Sequence, residues 1–232
     1  MNSPTEENAP AQIQTVGSPT NRKRRRLELL FLILLGLLCI VTFFLDRAVI
    51  DWIALHRTKA LRNLGGQISH IGDWPWLMAC AIPLLFLAWR LKRELLFRII
   101  AAMIVASAVA GIINNSVKLT SGRTRPNNTQ VAPGWYGLYH EGQLLIGKNK
   151  FNSFPSGHTA AASGFFCALA LRRRPWAFLW FLPVLIMAAS RMVINAHYLS
   201  DVAFGAWIGL VTAWRINLWA ARSTWLGRPF KK

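Results

Sequence analysis

The sequence predicts an all-α polytopic membrane protein, six transmembrane helices gathered into a bundle with a catalytic core. Three observations predict it. Apolar runs near the length of a bilayer crossing recur along a chain of 232 residues that is 53% hydrophobic. Basic residues concentrate between those runs: 17 of the 27 Lys and Arg fall in the segments assigned to one side, as cytoplasmic loops do. Small residues at four-residue spacing mark several runs, the pattern that lets membrane helices approach closely.

Residues 1–26 are expected to form a disordered basic cytoplasmic tail, polar up to residue 21 and then basic from Arg22 to Arg26. Residues 27–232 form the single six-helix domain. Leu27–Leu45 is the first span; without a small-residue cleavage site it reads as a retained helix rather than a signal peptide. Residues 46–64 mix apolar and charged positions and predict an amphipathic helix on the outer membrane surface. Gly65-Gly66 and Gly72-Asp73 are breaks. Trp74–Trp89 is the second span, with Pro83 inside it, and Leu95–Val117 is the third, carrying Ala106, Ser107, Ala110 and Gly111 as a close-packing face.

Residues 118–156 form a long polar loop, which at that length is functional or disordered. His158–Leu171 is the fourth span and Arg172-Arg173-Arg174 a basic turn. Trp176–Ile194 is the fifth span. Tyr198–Trp214 is the sixth, with Gly205 and Gly209 as an intramolecular packing pair and Asn195 as a candidate N-cap. The charge bias places both termini in the cytoplasm, in a multi-pass protein of a bacterial inner membrane.

A net charge of +18 raises the question of nucleic acid. The cations lie between membrane spans rather than on a continuous basic face, so no nucleic-acid partner is expected. Cys39, Cys80 and Cys167 each sit inside an apolar run and read as buried small hydrophobes, with neither a disulfide framework nor metal spacing.

With six spans, three polar segments emerge together on the outer face. The first runs from Lys118 to Arg125-Pro126, the second is Pro155-Ser156-Gly157-His158, and the third runs from Ser190-Arg191 through His197 to Asp201. Ionisable residues beside membrane spans cost free energy, so their default reading is functional. Lys118, Arg125 and Arg191 can neutralise phosphate oxygens, Arg with a fork suited to them. Backbone N–H groups at Ser156 and Gly157 open a helix and form an anion site, and Gly157 admits close approach. His197 and Asp201 are four apart, so on a helix the carboxylate accepts the Nδ1 proton and leaves Nε2 as a nucleophile. His158 then serves as acid and later as base. No carboxylate cluster suits Mg²⁺ or Zn²⁺; neither a metal nor another cofactor is expected.

The ordered pattern Lys-x₆-Arg-Pro, Pro-Ser-Gly-His and Ser-Arg-x₅-His-x₃-Asp resembles the type 2 phosphatidic acid phosphatase family, within a superfamily that includes vanadium haloperoxidases. Every defining position is present across 118–201. The resemblance implies metal-independent hydrolysis of a lipid phosphomonoester or diphosphate, with the roles assigned above. Undecaprenyl diphosphate, phosphatidylglycerol phosphate, phosphatidate and a lipid A phosphate all remain open as substrates. A lipid phosphotransferase using the same phosphohistidine and a non-catalytic lipid-phosphate transporter or binding protein are the alternatives. The latter leaves His158 and the His197–Asp201 pair without a purpose. Arg123 is expected to face solvent; His56 and His70 read as interfacial, and His140 and Glu141 as solvated loop residues. Trp135, Tyr136 and Tyr139 read as an interfacial aromatic belt.

Overall fold

The computed structural model describes residues 19–172 and 177–222. Seven α-helices make up most of the described residues: α1 (Pro19–His56), α2 (Lys59–Ile71), α3 (Trp74–Arg90), α4 (Glu94–Ser121), α5 (Gly157–Ala170), α6 (Ala177–Val193) and α7 (Leu199–Arg222). A small hairpin, β1 (Tyr139–His140) with β2 (Gln143–Leu144), interrupts the loop between α4 and α5.

Helix α5 lies at the centre, packed on α4, α6 and α7. Its first three turns contain Ala160, Ala161, Ala162, Ser163 and Gly164, all buried. The seams are too close for larger side chains. A Cβ on Gly164 would lie 2.7 Å from the Ala106 carbonyl oxygen of α4, and one on Gly205 or Gly209 would lie 2.5 Å from the Ser156 or Ala160 carbonyl oxygen. Ser107 on α4 donates to the Ala161 carbonyl, and Ser163 donates to that of Ala206. These contacts set helix spacing where lipid gives no hydrophobic drive for association. Gly111 is different, because its face opens onto a crevice instead of a helix.

Among the described residues, two helices (Arg22–His56 and Glu94–Ser121) are long and apolar enough to cross a membrane. Helices α2 and α3, bent by 46° at their junction, qualify together as a third, and Ala177–Val193 is a shorter apolar helix. Large apolar side chains such as Phe31, Phe44, Leu55 and Phe178 point outward, as they do when lipid replaces water as the surroundings.

Three boundaries differ from the sequence reading. The boundary at 26 is not a structural break, because Arg22–Arg26 already belong to α1; residues 1–18 lie outside the described residues. The amphipathic segment is not 46–64. Helix α1 continues through Asp46, Ile50 and Ile53, buried at helical spacing, while Arg47 and Asp51 pair on the exposed side. The chain breaks at Arg57-Thr58, where the Thr58 hydroxyl accepts the Leu61 N–H at 3.1 Å and starts α2. The amphipathic helix is therefore α2, whose inner side buries Gly65 and Ser69 against the end of α6. Third, the long loop is ordered. Gly122 ends α4 with φ +58°, and any Cβ there would strike the Gly137 backbone. Of the basic turn after α5, Arg173 and Arg174 lie outside the described residues.

Candidate active site

The last turn of α4, the first turn of α5 and the α6–α7 turn converge at one end of the bundle. Lys118 sits in the last turn of α4, Arg125 just beyond the Gly122 cap, and Arg191 in the last turn of α6. The α6–α7 turn follows from local backbone chemistry. Asn195 adopts φ +60°, its N–H donates to the Met192 carbonyl at 2.8 Å, and the Ala196 N–H donates to that of Arg191 at 3.0 Å. This is a Schellman closure with Asn in the left-handed position. Asn195 thus ends α6 rather than capping α7, which starts at Leu199.

His197 projects from this turn and is only 1% exposed. Its Nδ1 lies 2.7 Å from the Ser153 carbonyl oxygen. A carbonyl can only accept, so Nδ1 carries the proton and Nε2 is bare. Burial pushes this imidazole down to about 3, with Asp201 pulling the other way, so the ring is neutral at ordinary pH.

Asp201 is not the direct partner of His197 expected from the four-residue spacing. Its nearer oxygen is 3.6 Å from Nδ1, because His197 precedes the helix and the carboxylate is already committed. Oδ2 accepts from the Ser153 hydroxyl at 2.5 Å and the Tyr198 N–H at 2.8 Å, the second closing the start of α7 from its third position. Oδ1 accepts from Arg123 at 2.5 Å. Asp201 therefore acts on His197 by its charge at that distance and also fixes Ser153, whose carbonyl His197 meets and which the sequence reading passed over.

Arg123 does not face solvent. It is buried, stacked over Tyr198 (4.3 Å), Trp135 (4.8 Å) and Phe43 (5.3 Å), and bonded to Ser200, Asp201 and Asp46. Asp46, from the middle of α1, also accepts from the Ser200 N–H at 2.8 Å and hydroxyl at 2.6 Å. An antiparallel bridge between Arg123 and Trp135 fixes the loop that carries this guanidinium. Trp135 packs one side of its ring on Phe43 and Phe154 and leaves the rest exposed, as Tyr139 is.

The other predicted residues gather around this core. Lys118, Arg125 and Arg191 lie within electrostatic reach of one another; Lys118 and Arg191 also reach His197. All three cations reach His158, whose Nε2 is 3.3 Å from Asp73 Oδ1. Burial lowers the proton affinity of Arg125, opposed by Asp201. A Cβ on Gly157 would stand 3.6 Å from Lys118 Nζ, so the glycine lies against the ring. Arg191 donates to the Ser69 hydroxyl of α2. The Nε atoms of Arg125 and Arg191 are buried without a hydrogen-bond partner among the described residues. Ser156 corrects the expectation of a free amide, since its N–H donates to the Asp201 carbonyl at 2.9 Å and its hydroxyl pairs with Thr159 at 3.0 Å.

Two cavities meet at this ring. One, of about 550 Å³, runs from Lys118 and His158 along Ala108, Gly111 and Ile112. The other, of about 460 Å³, has Arg125, His158 and Arg191 beside Asn127, Asn128, Asn149 and Lys150.

The weaker histidines stand apart. His56 stacks on Trp52 at 4.5 Å, His70 is tilted against Trp76 at 5.8 Å, and His140 lies 3.8 Å from the exposed Glu141. Nothing local marked Ser69, Asp73 or Ser153. For Asp46 a usable signal was the spacing Asp46–Ile50–Ile53 on a helix that does not stop.

Comparison with known proteins bears on the same residues. The profile of the PAP2 superfamily matches residues 95–225. A lipid A 1-phosphatase of Rhizobium etli is 31% identical over 175 residues, covering 69% of this chain and 73% of that protein. Another lipid A 1-phosphatase, from Rhizobium johnstonii, is 30% identical over 66% of this chain and 67% of its own length. The crystal structure of a transmembrane PAP2-type phosphatidylglycerolphosphate phosphatase from Bacillus subtilis superposes with a TM-score of 0.62 at 16% identity, across 82% of this chain and 96% of that one, and shares the fold. The profile match spans more than half of the sequence and includes every motif position of the ring, so the chain belongs to the PAP2 superfamily.

Proposed function

We propose that this chain is an integral membrane phosphatase that removes a phosphomonoester from a glycolipid of the lipid A kind, through a phosphohistidine at His197, on the outer face of a bacterial inner membrane. The membrane-phosphatase class rests on the family match and the relatives. One observation carries the mechanism: a neutral imidazole with a bare Nε2 stands within reach of Lys118 and Arg191, in a ring with Arg125 whose two guanidinium Nε–H groups lack acceptors among the described residues. Buried donors in that condition suit the non-bridging oxygens of a phosphoryl group.

Nε2 attacks phosphorus, the P–N bond forms and the P–O bond to the leaving group breaks. His158 gives that oxygen a proton. Water then attacks phosphorus with His158 taking its proton, and the P–N bond breaks to release phosphate. Throughout, Lys118, Arg125 and Arg191 balance the charge on the transferring group. Gly157 admits the phosphate closely, and Ser156 holds α5 to the α7 entry through its amide.

The two cavities support the choice of lipid. Amide side chains and Lys150 beside the ring suit a hydroxyl-rich, anionic headgroup, and the crevice along Ala108, Gly111 and Ile112 suits an acyl chain. The deciding experiment measures phosphate release from a panel of lipid phosphates and diphosphates in detergent containing EDTA. Turnover is expected to persist in EDTA, with kcat/KM for the glycosyl lipid phosphate about tenfold or more above that for phosphatidate. Strict metal dependence would contradict the cation-ring mechanism, and a preference for phosphatidate would contradict the headgroup assignment.

The proposed topology has six crossings with both termini inside, so the ring faces outward. In a Cys80→Ser background, Tyr139→Cys is expected to react with an impermeant maleimide in intact spheroplasts. Reaction only after permeabilisation would invert the orientation.

A further inference from the structure

The bend between α2 and α3 touches the cation ring at two side chains that the chemistry above leaves without a part. Ser69, in the last turn of α2, accepts from Arg191. Asp73 caps α3 by accepting the Trp74 N–H at 2.8 Å, and the same oxygen lies 3.3 Å from His158 Nε2. His158 is otherwise faced by cations: Lys118 from α4, Arg125 from the following loop and Arg191 from α6. A histidine that is largely buried and surrounded by fixed positive charge holds a second proton poorly, yet donating one to a leaving alkoxide requires it.

We propose that Asp73 is a positioning residue for phosphoryl transfer: its carboxylate, by accepting Nε2–H, favours the protonated form of His158 against burial and the surrounding cations, so that Nδ1–H is the proton delivered to the leaving oxygen. This rests on the reading of His158 as the acid. In the first step the Nδ1 proton passes to the leaving oxygen as the P–O bond breaks and the P–N bond to His197 forms. His158 is then neutral, with Nε2–H still directed at the Asp73 carboxylate. In the second step Nδ1 takes a proton from the attacking water while the P–N bond breaks, which restores the imidazolium. The carboxylate stays ionised in both steps, as a carboxylate that orients a catalytic histidine does.

Asp73→Asn separates this role from helix capping, because Asn caps a helix start as well as Asp while carrying no charge. The measurement compares an alkyl lipid phosphate, whose leaving alkoxide needs a proton, with an aryl phosphate, whose phenolate does not. Asp73→Asn is expected to lower kcat about 10- to 100-fold on the alkyl ester and less than about threefold on the aryl ester. The basic limb of its pH–kcat profile should move about one pH unit towards acid. Asp73→Glu should recover part of the alkyl-ester rate.

Equal losses on both esters with an unmoved basic limb, or wild-type rates on both, would overturn the proposal. His158→Ala assayed on the same pair isolates the underlying reading. If its loss is as large on the aryl as on the alkyl ester, His158 is not the acid and the premise fails. If His158→Ala shows the leaving-group dependence and Asp73→Asn does not, the premise stands and the assignment of Asp73 fails.

Discussion

Replacing His197 with alanine is expected to lower kcat by about 10⁴-fold or more, with KM changed little. The cations that would bind the phosphate are on other elements, so ground-state affinity survives the loss of the ring, while the covalent route does not. Acid-stable and base-stable phosphoamino acids differ from phosphohistidine, which is labile in acid and stable in alkali. Brief incubation with a labelled lipid phosphate should therefore trap alkali-stable, acid-labile label on the wild-type chain and none on His197→Ala. A variant that keeps more than about 1% of the wild-type rate would remove the nucleophile from the mechanism, whatever its labelling.

The second large effect is expected far from the reacting atoms. Asp46→Ala removes from Arg123 one of its two carboxylates and from Ser200 the acceptor for both its N–H and its hydroxyl. Breaking a buried ion pair by deleting one partner costs about 3–5 kcal/mol, since the remaining charge stays out of water. Apparent Tm in detergent should fall by roughly 6–20 °C. The rate should fall as well, by about 10- to 100-fold, because Arg123 is left with Asp201 alone and that carboxylate also holds Ser153, whose carbonyl fixes the His197 tautomer. Asp46→Asn, which keeps an acceptor for Ser200 but not the charge, should fall between the two. If Asp46→Ala melts and turns over like the wild type, the network does not support the site.

The parts of this site that were legible in the sequence are those fixed by short spacings. Lys118 and Arg125 flank one glycine cap, and Arg191 and His197 flank one Schellman turn, so their separations survive as a readable pattern. Helix placement was legible for the same reason, since apolar runs report α3, α4, α5 and α6 to within a few residues, whereas α7 starts where expected and continues well past Trp214 to Arg222. What stayed hidden depends on distant pairing. Asp46 meets Ser200 across 154 positions and Arg123 across 77, and no local periodicity records either meeting. A lone aspartate after an apolar run reads as the end of a span, and an arginine in a polar loop reads as wet. The His197–Asp201 spacing misled for a related reason. Four-residue separation implies a shared face only inside a helix, and α7 begins two residues after His197.

The glycine seams around α5 divide the molecule by mechanical role. Where a methyl group cannot fit between α5 and its neighbours α4 and α7, any larger side chain would force those backbones apart. The bent α2–α3 arm and the hairpin-bearing loop, which border the two openings, lie outside those seams. Substrate range could thus diversify through those peripheral pieces alone, with the reaction centre held as a fixed casting beneath them.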